Sequence, residues 1–297
     1  MITPPEGQLS FDRAEILARL PEADAVLACA AIDAEMIAAA PRLKIISNYG
    51  AGYDRIDTQA AAARGIPVTN IPDDTMQATA ELALALLMSL SRRVTELDRA
   101  LRAGEQGLFT MGARMGHTLN GKLLGIIGMG HIGGALANMC RALGMDVAYY
   151  NRHRLPEERE QGCRYMELDE LIAASDVISI NCPLTDSTRG LMDARRIALM
   201  KPEAMLINTS RGGVVDTAAL IEALRQKRIA GAGLDVFPQE PKVPAELLEL
   251  DNVVLTPHVG TNTVETRAQM ASACAQRIME ALDGRTPRNV VNGVVLG

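Results

Sequence analysis

The sequence predicts an α/β protein built on parallel sheets. Two observations carry this reading. From about residue 11 onward, short β-branched runs alternate with helix-period stretches. One of those runs, 123–128, passes directly into a G-x-G-x-x-G loop and then into an amphipathic stretch. At 297 residues, 48% hydrophobic and 22% charged, the chain is long enough for two domains with ordinary cores.

Taken in order, the first strands are expected at 25–28 (AVLA), 44–47 (KIIS) and 68–70 (VTN), each a short apolar or β-branched run next to helical periodicity. Helices are expected at 33–40 and at 75–101, the latter a long alanine- and leucine-rich stretch. Residues 102–120 are rich in Gly, Met and polar side chains and break the rhythm, as a connection or arm between two lobes does. The rhythm then resumes with strands at 123–128, 146–150, 177–181, 205–208, 231–235 and 253–256, separated by helices at 133–143, 168–174, 193–199 and 217–226. A last helix at 265–282 either caps the second lobe or crosses back to the first; periodicity leaves both open.

Net charge is −6 with no Lys/Arg run, so the field of the molecule repels nucleic acid. No apolar stretch is long enough to span a bilayer and no leader follows Met1, so a cytoplasmic protein without a membrane partner is expected. Five cysteines (Cys29, Cys140, Cys163, Cys182, Cys274) lie far apart without a C-x-x-C pair, which predicts neither a disulfide framework nor a metal. The 15 methionines read as core filler.

The loop Gly128-Met129-Gly130-His131-Ile132-Gly133 stands in the context that a dinucleotide fingerprint requires. Gly128 permits the tight turn, Gly130 the approach of a pyrophosphate, and Gly133 close helix–strand packing, while the helix N-terminus offers N–H groups to phosphate. The next strand ends at Asn151-Arg152-His153-Arg154, where a carboxylate would select NAD(H) by bonding the adenosine ribose. A neutral Asn151 beside Arg152 and Arg154 instead accommodates a 2′-phosphate, so NADP(H) is favoured, with NAD(H) the alternative.

Three more segments follow predicted strands: Asn208–Gly213, Asp235–Pro241 and 256–260. Ligands of open α/β sheets bind outside the carboxyl ends of the strands, so Arg211, Glu240 and His258 can converge. Their chemistry suits reduction of a 2-keto acid. Arg211 would hold a carboxylate and polarise a carbonyl, His258 would donate a proton, and Glu240 would fix the imidazole tautomer and favour its protonated form.

With these motifs in view the chain resembles the D-isomer-specific 2-hydroxyacid dehydrogenase family, which includes glyoxylate/hydroxypyruvate reductases and phosphoglycerate dehydrogenases. The resemblance runs from about Pro41 to near the C-terminus. It rests on Tyr49-Gly50-Ala51-Gly52-Tyr53-Asp54, Ala78-Thr79-Ala80-Glu81, the glycine loop, Asn181-Cys182-Pro183-Leu184-Thr185, Asn208–Gly213, Gly233-Leu234-Asp235-Val236-Phe237 and Pro257-His258-Val259-Gly260. It implies two doubly wound parallel-sheet domains: a flavodoxin-like substrate domain, residues 1–95 with 265–297, and a Rossmann cofactor domain, residues 96–264. It also implies a return of the last helix to the first domain, and a homodimer. By motif, Arg211, Glu240 and His258 carry the family's catalytic Arg, Glu and His. The Ala51 and Gly52 N–H groups hold the substrate carboxylate, and Thr79, His131, Ile132, Cys182, Pro183, Thr188, Thr209, Ser210, Asp235, His258 and Gly260 contact the cofactor.

The chain departs from the family's pattern in three places. The strand and helix that usually open the substrate domain are not found before the segment near Phe11, as expected either of a substrate domain trimmed at its N-terminus or of a start codon assigned late. His131 stands where relatives often carry Arg, and Gln106 follows Glu105 where a Trp is often found. The expected activity is NADPH-favouring reduction of glyoxylate, hydroxypyruvate or a similar 2-keto acid to the D-2-hydroxy acid. A phosphoglycerate dehydrogenase-like enzyme is one alternative, and a non-catalytic dinucleotide sensor of the same fold is another.

Overall fold

The computed structural model describes residues 2–5, 8 and 10–297. The chain forms two compact units, residues 1–75 with 261–297 and residues 76–260. Both are α/β with parallel sheets, as the alternation of periods requires.

In the first unit α1 (Arg13–Arg19) opens on a reciprocal capping box between Asp12 and Glu15. It is followed by β1 (Ala25–Ala28), α2 (Ala34–Ala38), β2 (Ile45–Asn48), α3 (Thr58–Ala63) and β3 (Val68–Thr69). Asp33 and Asp57 start α2 and α3 by accepting the N–H of Met36 and of Ala60, which satisfies donors that an uncapped helix leaves orphaned. The strands lie in the order β1-β2-β3, all parallel. Ile37, Ile46, Ile66 and Val68 form the core beneath them.

Helix α4 (Pro72–Ser91) is followed by α5 (Val94–Arg102). The single helix expected over 75–101 is therefore two. Arg93, at φ 55°, sits in the left-handed region that breaks a helix, and the reason lies in the arm. The N–H of His117 donates to the carbonyl of Ser91 at 2.8 Å, the acceptor that a continuing helix would give to Thr95.

The second unit then runs β4 (Leu123–Ile127), α6 (His131–Ala142), β5 (Asp146–Tyr150), β6 (Arg164–Tyr165), α7 (Leu168–Ala174), β7 (Val177–Ile180), α8 (Ala194–Leu199), β8 (Met205–Asn208), α9 (Thr217–Arg225), β9 (Gly231–Leu234), α10 (Ala245–Leu248) and β10 (Val253–Leu255). Its sheet has the order β10-β9-β8-β7-β4-β5-β6, entirely parallel. The chain enters at β4, runs outward to β6, and returns to place β7 on the other side of β4. The carboxyl ends of β4 and β7 are thus the switch point at which such sheets bind ligands. β6 went unpredicted because two residues carry no period. Large apolar cores pack against the sheet, one around Leu171, Ile178 and Leu206, the other around Leu136, Ile126 and Tyr149.

The chain ends with α11 (Val264–Leu282), capped by Thr263, and this helix packs on β2 and β1 of the first unit. The alternative left open by periodicity is decided by that packing. No helix among the described residues is long and apolar enough to cross a membrane.

Candidate active site

The glycine loop lies between β4 and α6. Gly128 has φ +101°, and a Cβ there would meet the backbone nitrogen of Cys182 at 2.6 Å, so only glycine fits beneath the loop that follows β7. At Gly133 a Cβ would lie 2.5 Å from the Gly128 carbonyl, whereas Gly130 faces open space. Helix α6 begins at His131, earlier than periodicity placed it, and its N-cap Gly130 offers no side chain to the first-turn N–H groups. His131 is exposed and Ile132 half-buried in that first turn.

Asn151 does work that the sequence did not disclose. Its Oδ1 accepts the Met129 N–H at 2.7 Å and its Nδ2 donates to the Met129 carbonyl at 3.3 Å, so it grips the glycine loop from both sides. Both nearby arginines are exposed, but Arg154 is bound to Glu160 through Nε at 2.7 Å and Nη2 at 3.2 Å. Glu160 is buried, also accepts from the Tyr149 hydroxyl at 2.8 Å, and is held below the usual carboxylate range, first by Arg154 and then by Tyr149.

Beyond β7, Cys182 is half-buried and Pro183 exposed. Burial pushes the Cys182 thiol up to about 11, so it stays protonated at neutral pH. The Thr188 hydroxyl closes this loop, donating to the Pro183 carbonyl at 2.6 Å and accepting the Thr185 N–H at 2.8 Å. Beyond β8, the buried Asn208 folds the next turn: its Oδ1 accepts from the N–H and hydroxyl of Ser210 at 3.0 and 2.9 Å, and its Nδ2 donates to the Arg211 carbonyl at 3.0 Å. Sequence reasoning named Thr209, Ser210 and Arg211 but missed the Asn that shapes them. A Cβ on Gly212 would fall 2.1 Å from the carbonyl carbon of Phe237, so the Arg211 turn rests directly on the loop after β9.

That loop carries Asp235 and Glu240. Asp235 is 1% exposed and organises the 256–260 segment. Its Oδ1 accepts from the Thr256 hydroxyl at 2.6 Å and the Val259 N–H at 2.9 Å, and its Oδ2 accepts the Gly260 N–H at 3.0 Å. Burial raises its carboxyl above the ordinary value, with these donors opposing the shift. Thr79, on α4, is buried with its side chain 3.4 Å from where a Cβ on Gly260 would stand.

His258 occupies a left-handed conformation, φ 53°, which costs a non-glycine residue roughly 1 kcal/mol. Its N–H bonds to the carbonyls of Asp235 and Thr256 hold it there. The conformation presents the half-exposed imidazole with Nδ1 at 2.7 Å from Glu240 Oε2, while Glu240 Oε1 accepts the Phe237 N–H at 3.1 Å. A carboxylate only accepts, so Nδ1 carries a proton and Nε2 is left for a ligand.

The second unit fits a dinucleotide on its own geometry. The cradle at Gly130 is open, the α6 N-terminus lacks a side-chain cap, and two buried polar atoms at the switch-point side of the sheet, Asn181 Oδ1 and Thr209 Oγ1, have no hydrogen-bond partner. Buried polar groups are rarely left so unless a ligand completes them. Among the described residues no group of three His, Cys, Asp or Glu side chains is placed to hold a metal ion.

In the first unit, Ala51 and Gly52 lie on the turn after β2, half-buried and exposed respectively. Asn48 Nδ2 donates to the carbonyls of Gly50 and Gly52 at 2.8 and 3.0 Å.

Residues 84–260 match the family model described as "D-isomer specific 2-hydroxyacid dehydrogenase, NAD binding domain". The glyoxylate reductase of Thermococcus litoralis is 46% identical over 291 residues, covering 96% of this chain and 88% of that protein. A glyoxylate reductase structure from Paecilomyes thermophila superposes with a TM-score of 0.88 at 37% identity, covering 94% of this chain and 88% of that one. The NADPH-dependent glyoxylate/hydroxypyruvate reductase of Sinorhizobium meliloti, solved with NADP and malonate, gives 0.87 at 34% identity with the same coverage. The chain therefore belongs to the D-isomer-specific 2-hydroxyacid dehydrogenase family.

Proposed function

We propose that the protein reduces a small 2-keto acid, glyoxylate or hydroxypyruvate, to the D-2-hydroxy acid, with NADPH preferred over NADH. The observation that carries this reading is the 2.7 Å contact between His258 Nδ1 and Glu240 Oε2 on loops at successive strand ends. That contact aims Nε2 away from Glu240, and in this reading Nε2 delivers the proton to the carbonyl oxygen. Arg211, on the preceding strand end, binds the substrate's carboxylate and carbonyl. Bound along the glycine loop, NADPH supplies the hydride.

The named residues divide the remaining tasks. Gly128, Gly130, His131, Ile132 and Gly133 receive the pyrophosphate, while Cys182, Pro183, Thr188, Thr209, Ser210, Asp235, Gly260 and Thr79 line the rest of the cofactor site. The cofactor is assigned to the second unit; within the first, the Ala51 and Gly52 N–H groups are assigned a carboxylate. Preference for NADPH is supported by Asn151, rather than an acidic residue, at the end of β5 and by the exposed Arg152. Arg154, already bound to Glu160, steadies the loop. The relatives whose names specify glyoxylate or hydroxypyruvate support the substrate class.

The molecule works as a cytoplasmic homodimer in this reading. Phe109 and Met111 stand 95% and 99% exposed on the arm, apolar surface that a second copy would cover.

Incubation with hydroxypyruvate and NADPH, followed by chiral chromatography, tests the reaction. D-glycerate is the expected product. The L-isomer, or unchanged hydroxypyruvate with NADPH intact, contradicts it.

A further inference from the structure

We propose that Asn48 and Asn70 are positioning residues that aim the Ala51 and Gly52 N–H groups at the substrate carboxylate, an inference that rests on the reading of this turn given above. Three successive carbonyls of the turn are drawn into the protein. Gly50 O accepts from Asn48 Nδ2 at 2.8 Å and from the Ile71 N–H at 3.2 Å. Ala51 O accepts from Asn70 Nδ2 at 2.7 Å, and Gly52 O from Asn48 Nδ2 at 3.0 Å. Because the partners are carbonyl oxygens, both side-chain amides must present their NH2 edge here.

In a trans peptide unit the C=O of one residue and the N–H of the next point in opposite directions. Drawing the Gly50 carbonyl inward therefore turns the Ala51 N–H outward, and drawing the Ala51 carbonyl inward does the same for the Gly52 N–H. Neither N–H donates a hydrogen bond to another group among the described residues. Glycines on both sides of Ala51 would let these peptide units flip; the two asparagines remove that freedom. The base of the turn is fixed as well: the Tyr49 hydroxyl donates to the Arg267 carbonyl at 3.0 Å, and the Arg267 guanidinium lies 5.6 Å from the centre of the Tyr49 ring.

Asn→Asp substitutions keep the shape, replace the NH2 by an oxygen that repels the carbonyl it faced, and bring negative charge toward an anion-binding turn. The test uses the full-length chain as wild type, Asn48→Asp and Asn70→Asp, with Asn70→Ala in reserve should a carboxylate prevent folding. Expected is a rise of about tenfold in KM for glyoxylate, the loss of one charge-assisted hydrogen bond, with kcat and NADPH Kd within about twofold of wild type. In protein labelled with 15N-alanine and 15N-glycine and loaded with NADP, oxamate should shift the Ala51 and Gly52 amide resonances of the wild type and leave them unmoved in the variants. An unchanged KM, or oxamate shifts that persist in the variants or fail to occur in the wild type, overturns the proposal. A wild type without turnover whose two amides nonetheless respond to oxamate in an Asn-dependent way sinks the catalytic reading and keeps the positioning role. Turnover of glyoxylate by wild type and variants with the same KM does the reverse.

Discussion

At the scale of single residues, the site is built from polar side chains whose partners determine what they can do. Glu240 faces Nδ1 of His258, so the imidazole is oriented with Nε2 turned away from the carboxylate, the atom proposed to deliver the proton. Replacing Glu240 by Gln preserves the shape and removes the charge; kcat for keto acid reduction should fall by about 10–100-fold, less than the roughly 100–10,000-fold ascribed to a general acid itself. Steady-state rates at fixed pH check this, and a variant with unchanged kcat would remove Glu240 from the mechanism. The two arginines after β5 separate in the same way. Arg152→Ala should raise KM for NADPH about tenfold and leave NADH little affected, as losing a phosphate contact does. Arg154→Ala should instead lower thermal stability and weaken both cofactors alike, because Arg154 is engaged with Glu160. The sequence displayed Arg152 and Arg154 as equals; only the fold brings buried Glu160 to one of them.

Among the elements, strands were the most legible: 25–28 and 146–150 were placed to the residue, because apolar runs between turn signals have few other homes. The break between α4 and α5 was not legible, since its cause, His117 taking the Ser91 carbonyl, lies far along the chain. Asn48, Asn70, Asn151 and Asn208 were overlooked as shapers of the site for a related reason. Each bonds backbone, and a backbone partner leaves no signature in sequence. Asp176 illustrates how such bonds couple elements: it accepts the Leu123 N–H at the start of β4 at 2.8 Å and pairs with Lys201 at 3.0 Å. Burial pushes its carboxyl up, but the Leu123 N–H and Lys201 prevail and hold it below the ordinary value. A depressed folded-state value means stability that is present above the unfolded value near about 4 and is lost as pH falls through the folded one. Asp176→Asn should therefore lower Tm by about 2–4 °C at pH 7, with the gap to wild type narrowing toward acid pH in scanning calorimetry. A gap that widens on acidification would contradict the assignment.

For the whole molecule, alternating periods placed the chain in the α/β class, and the glycine loop pointed to a dinucleotide before any side chain was placed. What composition could not display is that Phe109, Met111 and Met115, all on the arm, are exposed. If the arm joins two copies, a Phe109→Asp, Met111→Asp double variant should elute as a monomer in light-scattering chromatography while the wild type elutes as a dimer. Matching masses would place the interface elsewhere. The central claim, that this chain transfers a hydride to a 2-keto acid with His258 as proton donor, is tested most directly by initial rates. NADPH and NADH oxidation would be followed with glyoxylate and hydroxypyruvate, for wild type and His258→Ala. The account predicts turnover with NADPH ahead of NADH and a loss of about 100-fold or more in the variant, with NADPH still bound. Wild-type and variant rates that coincide, or bound cofactor that neither protein oxidises, would contradict it.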